Sequence, residues 1–174
     1  MHKRMQQHAN IQWIVPPFTW LKLNWDVAFR EEDYRIGVGV VIQDSEVEVL
    51  ATLMQPLTFY LQPDIAEARG LLTSTRMCKE LNVQDVIFEW DSNHVVTTMR
   101  QSTMQNGILS CFVEDTKATF LDTNWKIHHV RRDANKVAYQ LAKTAVSFSQ
   151  ETFDIGYVDP CIISLVMAKG HNTG

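Results

Sequence analysis

In Lys22-Leu23-Asn24-Trp25-Asp26-Val27-Ala28-Phe29, large apolar side chains fall on every second residue. Over residues 20–29, Leu21, Leu23, Trp25, Val27 and Phe29 alternate with Lys22, Asn24, Asp26 and Ala28, the period-two pattern of a strand. Asp26 then lies on the face opposite the large apolar residues. An ionised carboxylate interrupting an apolar run is costly to remove from water unless a cation or hydrogen-bond donors meet it. Two more acids interrupt apolar runs: Glu67 within Asp-Ile-Ala-Glu-Ala-Arg-Gly (64–70) and Asp91 within Phe-Glu-Trp-Asp-Ser (88–92). A divalent metal would serve as their common partner. Oxygen-only ligands suit the hard ions Mg²⁺ or Mn²⁺ rather than zinc, and they point to metal-assisted attack at a phosphate.

Outward from that strand, residues 30–33 are a charged turn. Residues 34–43 are a β-branched, glycine-punctuated run that pairs most simply with the first strand as a hairpin. Asp44-Ser45-Glu46 makes a second turn, and residues 47–60 read as a third strand, interrupted near Pro56. Pro63-Asp64 opens a helix in which Ile65, Ala68, Leu72, Met77 and Leu81 recur at helical spacing, with Glu67 in its first turn and Asn82 at its end. Residues 83–90 form a short buried strand ending at Asp91, and a strand that follows a helix pairs naturally in parallel. Helices are expected over residues 92–103 and 108–121, the second with an apolar stripe of Ile108, Cys111, Phe112 and Ala118 or Phe120. Residues 125–131 return to strand, with one of His128 and His129 facing the core. In the last helix Ala134, Val137, Ala138, Leu141, Ala142, Ala145 and Phe148 share one face, and Asp133 is placed to cap its start. The order is βββαβ, helices, βα.

The 174 residues, 45% of them hydrophobic, suffice for one domain with a substantial core. Residues 1–18 read as an arm held extended at Pro16-Pro17, residues 19–150 as the domain, and residues 151–174 as an irregular extension, disordered from 169. Sixteen basic residues against twenty acidic ones leave a formal net charge of −4, so any phosphate binding has to be local. Arg131, Arg132, Lys136 and Lys143 are the densest basic cluster, and arginines can grip phosphate with paired donors. Cys78, Cys111 and Cys161 are widely separated with no CxxC pair, as expected of reduced thiols in an intracellular protein. The start lacks the apolar core of a secretory signal, and the apolar stretch 161–168 is too short to span a bilayer. A soluble, non-membrane protein is expected.

Taken together, an Asp in the first strand, a Glu at the start of the first helix and an Asp ending the fourth strand of a βββαβ…βα chain resemble the ribonuclease H type 1 domain. Local strings sharpen the match: Lys22 to Phe29 as quoted above, Gly37-Val38-Gly39-Val40-Val41-Ile42, Ala66-Glu67-Ala68, Glu89-Trp90-Asp91-Ser92 and His129-Val130-Arg131-Arg132-Asp133-Ala134-Asn135. They look like the plant branch of that family, which is similar to the ribonuclease H segment of plant non-LTR retroelement polyproteins. The resemblance covers residues 20–148.

That resemblance implies an α/β, RNase H-like fold: a mixed five-stranded sheet, three antiparallel strands then two parallel, flanked by helices. In active members four carboxylates hold two divalent metals that activate water and stabilise the leaving oxygen while RNA in an RNA–DNA hybrid is cut. Asp26, Glu67 and Asp91 match the first three as catalytic and metal-binding residues, with Mg²⁺ or Mn²⁺ as cofactor. The fourth position, four residues after Asn135 in Asn-Lys-Val-Ala-Tyr-Gln-Leu-Ala (135–142), is Tyr139, a neutral phenol and a poor Mg²⁺ ligand. Asn135 offers an amide on the same helix face. Val27 stands where many members have glycine. The loop that carries a helper histidine in bacterial members is shortened here to Arg131-Arg132-Asp133. Asn93, Arg131, Arg132 and Asn135 are the expected nucleic-acid contacts.

Each acid also has a plainer reading. Asp26 suits an edge strand facing water, Glu67 complements a helix dipole, and Asp91 caps a helix. Two functions follow from the pattern. One is a metal-dependent endonuclease hydrolysing RNA in RNA–DNA hybrids; the other is a retroelement-derived nucleic-acid-binding or scaffold domain whose catalysis is impaired by loss of the fourth acid. Tyr139 divides them.

Overall fold

The computed structural model describes residues 13–58, 62–100 and 107–170. Strands β1 (Leu21–Arg30), β2 (Arg35–Gln43) and β3 (Val49–Leu57) form an antiparallel meander. They are followed by α1 (Pro63–Glu80), β4 (Asp85–Trp90), α2 (Asn93–Arg100), α3 (Ile108–Thr119), β5 (Asn124–His129), α4 (Lys136–Ala145), β6 (Thr152–Ile155) and α5 (Ile163–Gly170). The sheet runs β5-β4-β1-β2-β3-β6, with the β1–β4 and β4–β5 pairs parallel and the others antiparallel. It therefore has six strands rather than the expected five. The additional strand, β6, lies in the segment that the sequence leaves irregular. Four residues are too few to display a period, and β6 is placed by the open edge of β3, where it pairs with residues 51–54.

The alternation of β1 sorts the sheet into two faces. Leu23, Trp25 and Val27 share the face under α1, where Gly70 packs so closely that a Cβ on it would lie 2.7 Å from Trp25 Cδ1. Trp25 stacks on Trp90 with ring centroids 5.0 Å apart and meets Phe88 edge-on at 6.1 Å, which gives this core fixed aromatic geometry. Lys22, Asn24 and Asp26 point to the other face, which α4 covers. Glycine is required there. A Cβ on Gly39 would fall on the Ala142 nitrogen and the Ala138 carbonyl oxygen, and one on Gly37 would fall on the Ala142 carbonyl oxygen. Val137, Ala138, Leu141, Ala142 and Ala145 are the buried stripe of α4, as its periodicity predicts.

Local details depart from the sequence expectations for identifiable reasons. Helix α1 begins at Pro63, so Glu67 falls in the second turn rather than the first. Strand β3 runs through Pro56 without interruption; Pro56 lies beyond Met54, the last residue β6 pairs, where an edge tolerates proline. Helix α3 buries Val113 and Thr116, while Ile108 and Cys111 are exposed, because the row that meets α1 is not the most apolar one. In β5 only Ile127 is buried; as the outermost strand it leaves both His128 and His129 exposed.

At the start of α4, Asp133 sits in a short 3-10 turn, Arg132–Ala134, and pairs with Lys136 at 3.7 Å instead of capping the helix. Helix α4 ends at Ala145, short of Phe148. Lys169 and Gly170 close α5, and residues 171–174 and 101–103 lie outside the described residues. Among the described residues, the three cysteines are free thiols and no helix is long and apolar enough to cross a membrane.

Candidate functional site

Strands β1 and β4 pair in parallel as far as Asn24 and Glu89. Two residues further along each strand, on the same face, stand Asp26 and Asp91. Strand β4 stops at Trp90, so both acids sit where the sheet opens into the turn before α2. The carboxyl ends of parallel strands are where open α/β sheets hold their ligands. Glu67 arrives from α1 on the opposite face and hydrogen-bonds with the Ser92 side chain. The fold thus brings all three acids to one end of the sheet.

Crowding and burial shape their electrostatics. Asp26 is only 6% exposed, with Oδ1 accepting the Val27 N–H at 2.8 Å. Burial first, and then the Asp91 charge, push its carboxyl up to about 7. Glu67 is likewise pushed up to about 7, by burial and then by Asp64, while the Ser92 hydrogen bond pulls the other way. Asp91 has a different partner. Its Oδ2 accepts Arg132 Nε at 3.3 Å, and its backbone carbonyl lies 3.0 Å from His129 Nε2.

Beneath Asp26 lies a buried polar chain that sequence reasoning missed. Asn135 Nδ2 donates to the Trp25 carbonyl at 2.9 Å and reaches Asp26 Oδ2 at 3.5 Å, while its Oδ1 accepts Asn24 Nδ2 at 3.2 Å. Asn24 Nδ2 also donates to Glu89 Oε2 at 3.2 Å, and Glu89 pairs with Lys22 at 2.7 Å. The Lys22 ammonium also donates to the Ile14 carbonyl and lies over the Trp13 ring at 4.8 Å. One signal was available. Lys22, Asn24 and Glu89 are polar interruptions that parity places on one face, and charges of opposite sign sharing a buried face imply a pair.

The expected nucleic-acid contacts separate by exposure. Asn93, at the first residue of α2, and Arg131 are exposed, and Arg132 is 76% exposed at its side chain. Asn135 is 1% exposed, with its amide engaged by Asn24, Trp25 and Asp26. It holds the floor of the site and presents no free donor to a ligand. Tyr139, at the expected place of a fourth acid, is an exposed ring with the Arg132 guanidinium 5.8 Å from its centroid.

A divalent metal matches these donors in kind, since all three are carboxylates, but not in arrangement. Among the described residues no three His, Cys, Asp or Glu side chains gather into a group that could hold a metal ion. One Asp91 oxygen is engaged by Arg132, and Tyr139 adds no carboxylate. As it stands, the site offers two carboxyls held high chiefly by burial, Asp26 and Glu67, beside an exposed arginine whose remaining donors suit a phosphate oxygen.

Comparison with solved structures agrees with the fold. RNase H1 from the halophilic archaeon Halobacterium salinarum is 20% identical, with a TM-score of 0.65, and covers 72% of this chain and 96% of its own. The N-terminal RNase H domain of rv2228c from Mycobacterium tuberculosis, solved as a maltose-binding-protein fusion, is 23% identical with a TM-score of 0.63, covering 73% and 93%. LC11-RNase H1, from a compost metagenome and solved in complex with an RNA/DNA hybrid, is 19% identical with a TM-score of 0.64, covering 72% and 96%. No curated protein matches the chain. The family model described as reverse transcriptase-like matches residues 24–145, a span that includes Asp26, Glu67, Asp91 and Tyr139. On that match the chain belongs to the reverse transcriptase-like family, carried on an RNase H-like fold.

Proposed function

We infer that this chain is a nucleic-acid-binding domain, derived from the plant retroelement branch of the ribonuclease H family, which holds an RNA–DNA hybrid while its capacity to cut the RNA strand is impaired. The observation that supports this most directly is the position of Arg132. Its guanidinium pairs with Asp91 at 3.3 Å and lies 5.8 Å from the Tyr139 ring centroid, so a positive charge of the chain's own stands between the third acid and the fourth position. An arginine there neutralises Asp91 and offers a donor fork to phosphate, but it activates no water. Asn93 and Arg131, both exposed, flank the same end of the sheet and serve the same backbone contact.

A second reading keeps catalysis: a Mg²⁺- or Mn²⁺-dependent ribonuclease using Asp26, Glu67 and Asp91. What favours it is the pair of carboxyls held near 7, since a bound cation would relieve both. Incubating a labelled RNA–DNA hybrid with Mg²⁺ and then Mn²⁺ tests both readings, comparing the native chain with Asp26→Asn and Tyr139→Asp. Retention of hybrid without cleavage by the native chain, with cleavage appearing in Tyr139→Asp, is the result expected. Cleavage by the native chain that Asp26→Asn abolishes would establish the nuclease instead.

A further inference from the structure

Next to the acids, α4 and the end of β1 enclose an open groove of about 480 Å³. Tyr139, Lys143 and Ser147 line one wall at four-residue spacing, and residues 27–30 form the other. Arg132 stands at the end nearest Asp91. Arg30 stands at the far end, where Nε and Nη2 grip Asp33 at 2.8 and 2.6 Å and Nη1 donates to Ser147 Oγ at 3.4 Å. No acidic residue lines the groove, in a chain whose formal net charge is −4.

The structure divides the basic cluster of the sequence. Lys136 is paired with Asp133, and neither Lys136 nor Arg131 lines the groove. Lys143 does line it, is exposed, and has no hydrogen-bond or ion-pair partner among the described residues. Arg30, distant in sequence from the others, joins Arg132 and Lys143 only through the fold. Of the three cations, Arg132 is paired with Asp91 and Arg30 with Asp33, so Lys143 and the remaining donors of Arg132 are what the groove offers a phosphate in an otherwise acidic chain.

We propose that this groove is the track for the sugar-phosphate backbone of a nucleic-acid strand leaving the carboxylate end of the sheet. Arg132 takes the phosphate beside Asp91, Lys143 takes one further along, and the Tyr139 ring between them lies against a sugar or base. The choice of a strand as occupant rests on the nucleic-acid-binding reading above; the positive groove itself does not.

The test measures binding of a short labelled RNA–DNA hybrid across a salt series for the native chain, Lys143→Glu, and Lys79→Glu as an equal charge change on α1, with thermal melts showing that each variant is folded. Lys143→Glu is expected to weaken binding roughly tenfold at low salt and to reduce the slope of log affinity against log salt by about 1, while Lys79→Glu changes it less than about twofold. Hybrid binding that responds identically to the two variants overturns the groove and leaves the binding reading intact. If no hybrid binds, titration with a short single-stranded oligonucleotide followed by NMR decides. Shifts at Tyr139 and Lys143 uphold the groove and overturn the hybrid reading, and their absence overturns both. Inorganic pyrophosphate reproducing those shifts in full would assign the groove to free phosphate and overturn the strand track.

Discussion

Asn24 and Asn135, 111 residues apart in the chain, share a hydrogen bond of 3.2 Å that fastens the start of α4 to β1 directly beneath Asp26. Both are 1% exposed. The same bond that orders the floor of the site therefore also seats the helix carrying Tyr139 and Lys143.

Asn135→Leu removes this fastening while keeping a similar volume. It takes the Asn135 amide away from the Trp25 carbonyl and from Asn24, which keeps its bond to Glu89, at a cost of about 1–3 kcal/mol. Chemical denaturation is expected to show a stability loss in that range. An unchanged midpoint would mean that the bond contributes nothing.

Asp26 and Glu67 are expected to contribute stability in acid. Both fold with carboxyls near 7, above their ordinary values of 3.8 and 4.5, so the folded state binds protons more tightly than the unfolded chain across that interval. The resulting stabilisation is complete below the lower values and is lost as pH rises through about 7. Asp26→Asn should accordingly raise the melting temperature at about pH 8 and have little effect near pH 4. Equal shifts at both pH values would show that Asp26 does not titrate this way.

Breaking the buried Lys22–Glu89 pair one partner at a time should be more harmful than removing it whole. Glu89→Leu strands an ammonium and is expected to cost about 3–5 kcal/mol, whereas Lys22→Met with Glu89→Leu should recover most of it. A double-mutant cycle in urea measures the coupling. Additive losses would indicate that the two charges do not interact.

Gly39→Ala sets a methyl against the Ala142 and Ala138 backbone. Helix α4 then has to lift from the sheet, for which we expect a loss of about 1–3 kcal/mol and a melting temperature lower by several degrees. Because α4 forms one wall of the basic groove, hybrid affinity should fall alongside stability. Unchanged stability would contradict the close seating of this helix.

Strand β1 and α1 were legible because each shows a period, the next strands because they are β-branched or apolar runs between turn signals, and the three acids because each interrupts an apolar run. Convergence of Asp26, Glu67 and Asp91 follows from the order of elements, so it too could be read ahead of the structure. What could not be read lies in registers and distances. Arg30 sits more than a hundred residues from Lys143, and no local pattern announces that the two share a groove. Asp133 had the composition of a cap but not the geometry, because the chain makes one tight turn before α4 begins. Asn135, an expected nucleic-acid contact, is buried, since its exposure depends on Asn24 and Trp25 across the sheet.

Strand β6 has a consequence for biosynthesis. The outer edge of β3 over residues 51–54 stays unpaired until residues 152–155 have been made, so most of the domain is synthesised while that edge is open. Unprotected edges recruit other chains. Covering it last makes β6 a guard against aggregation of the nascent chain, and a version ending after α4 should precipitate at concentrations where the longer chain remains dispersed.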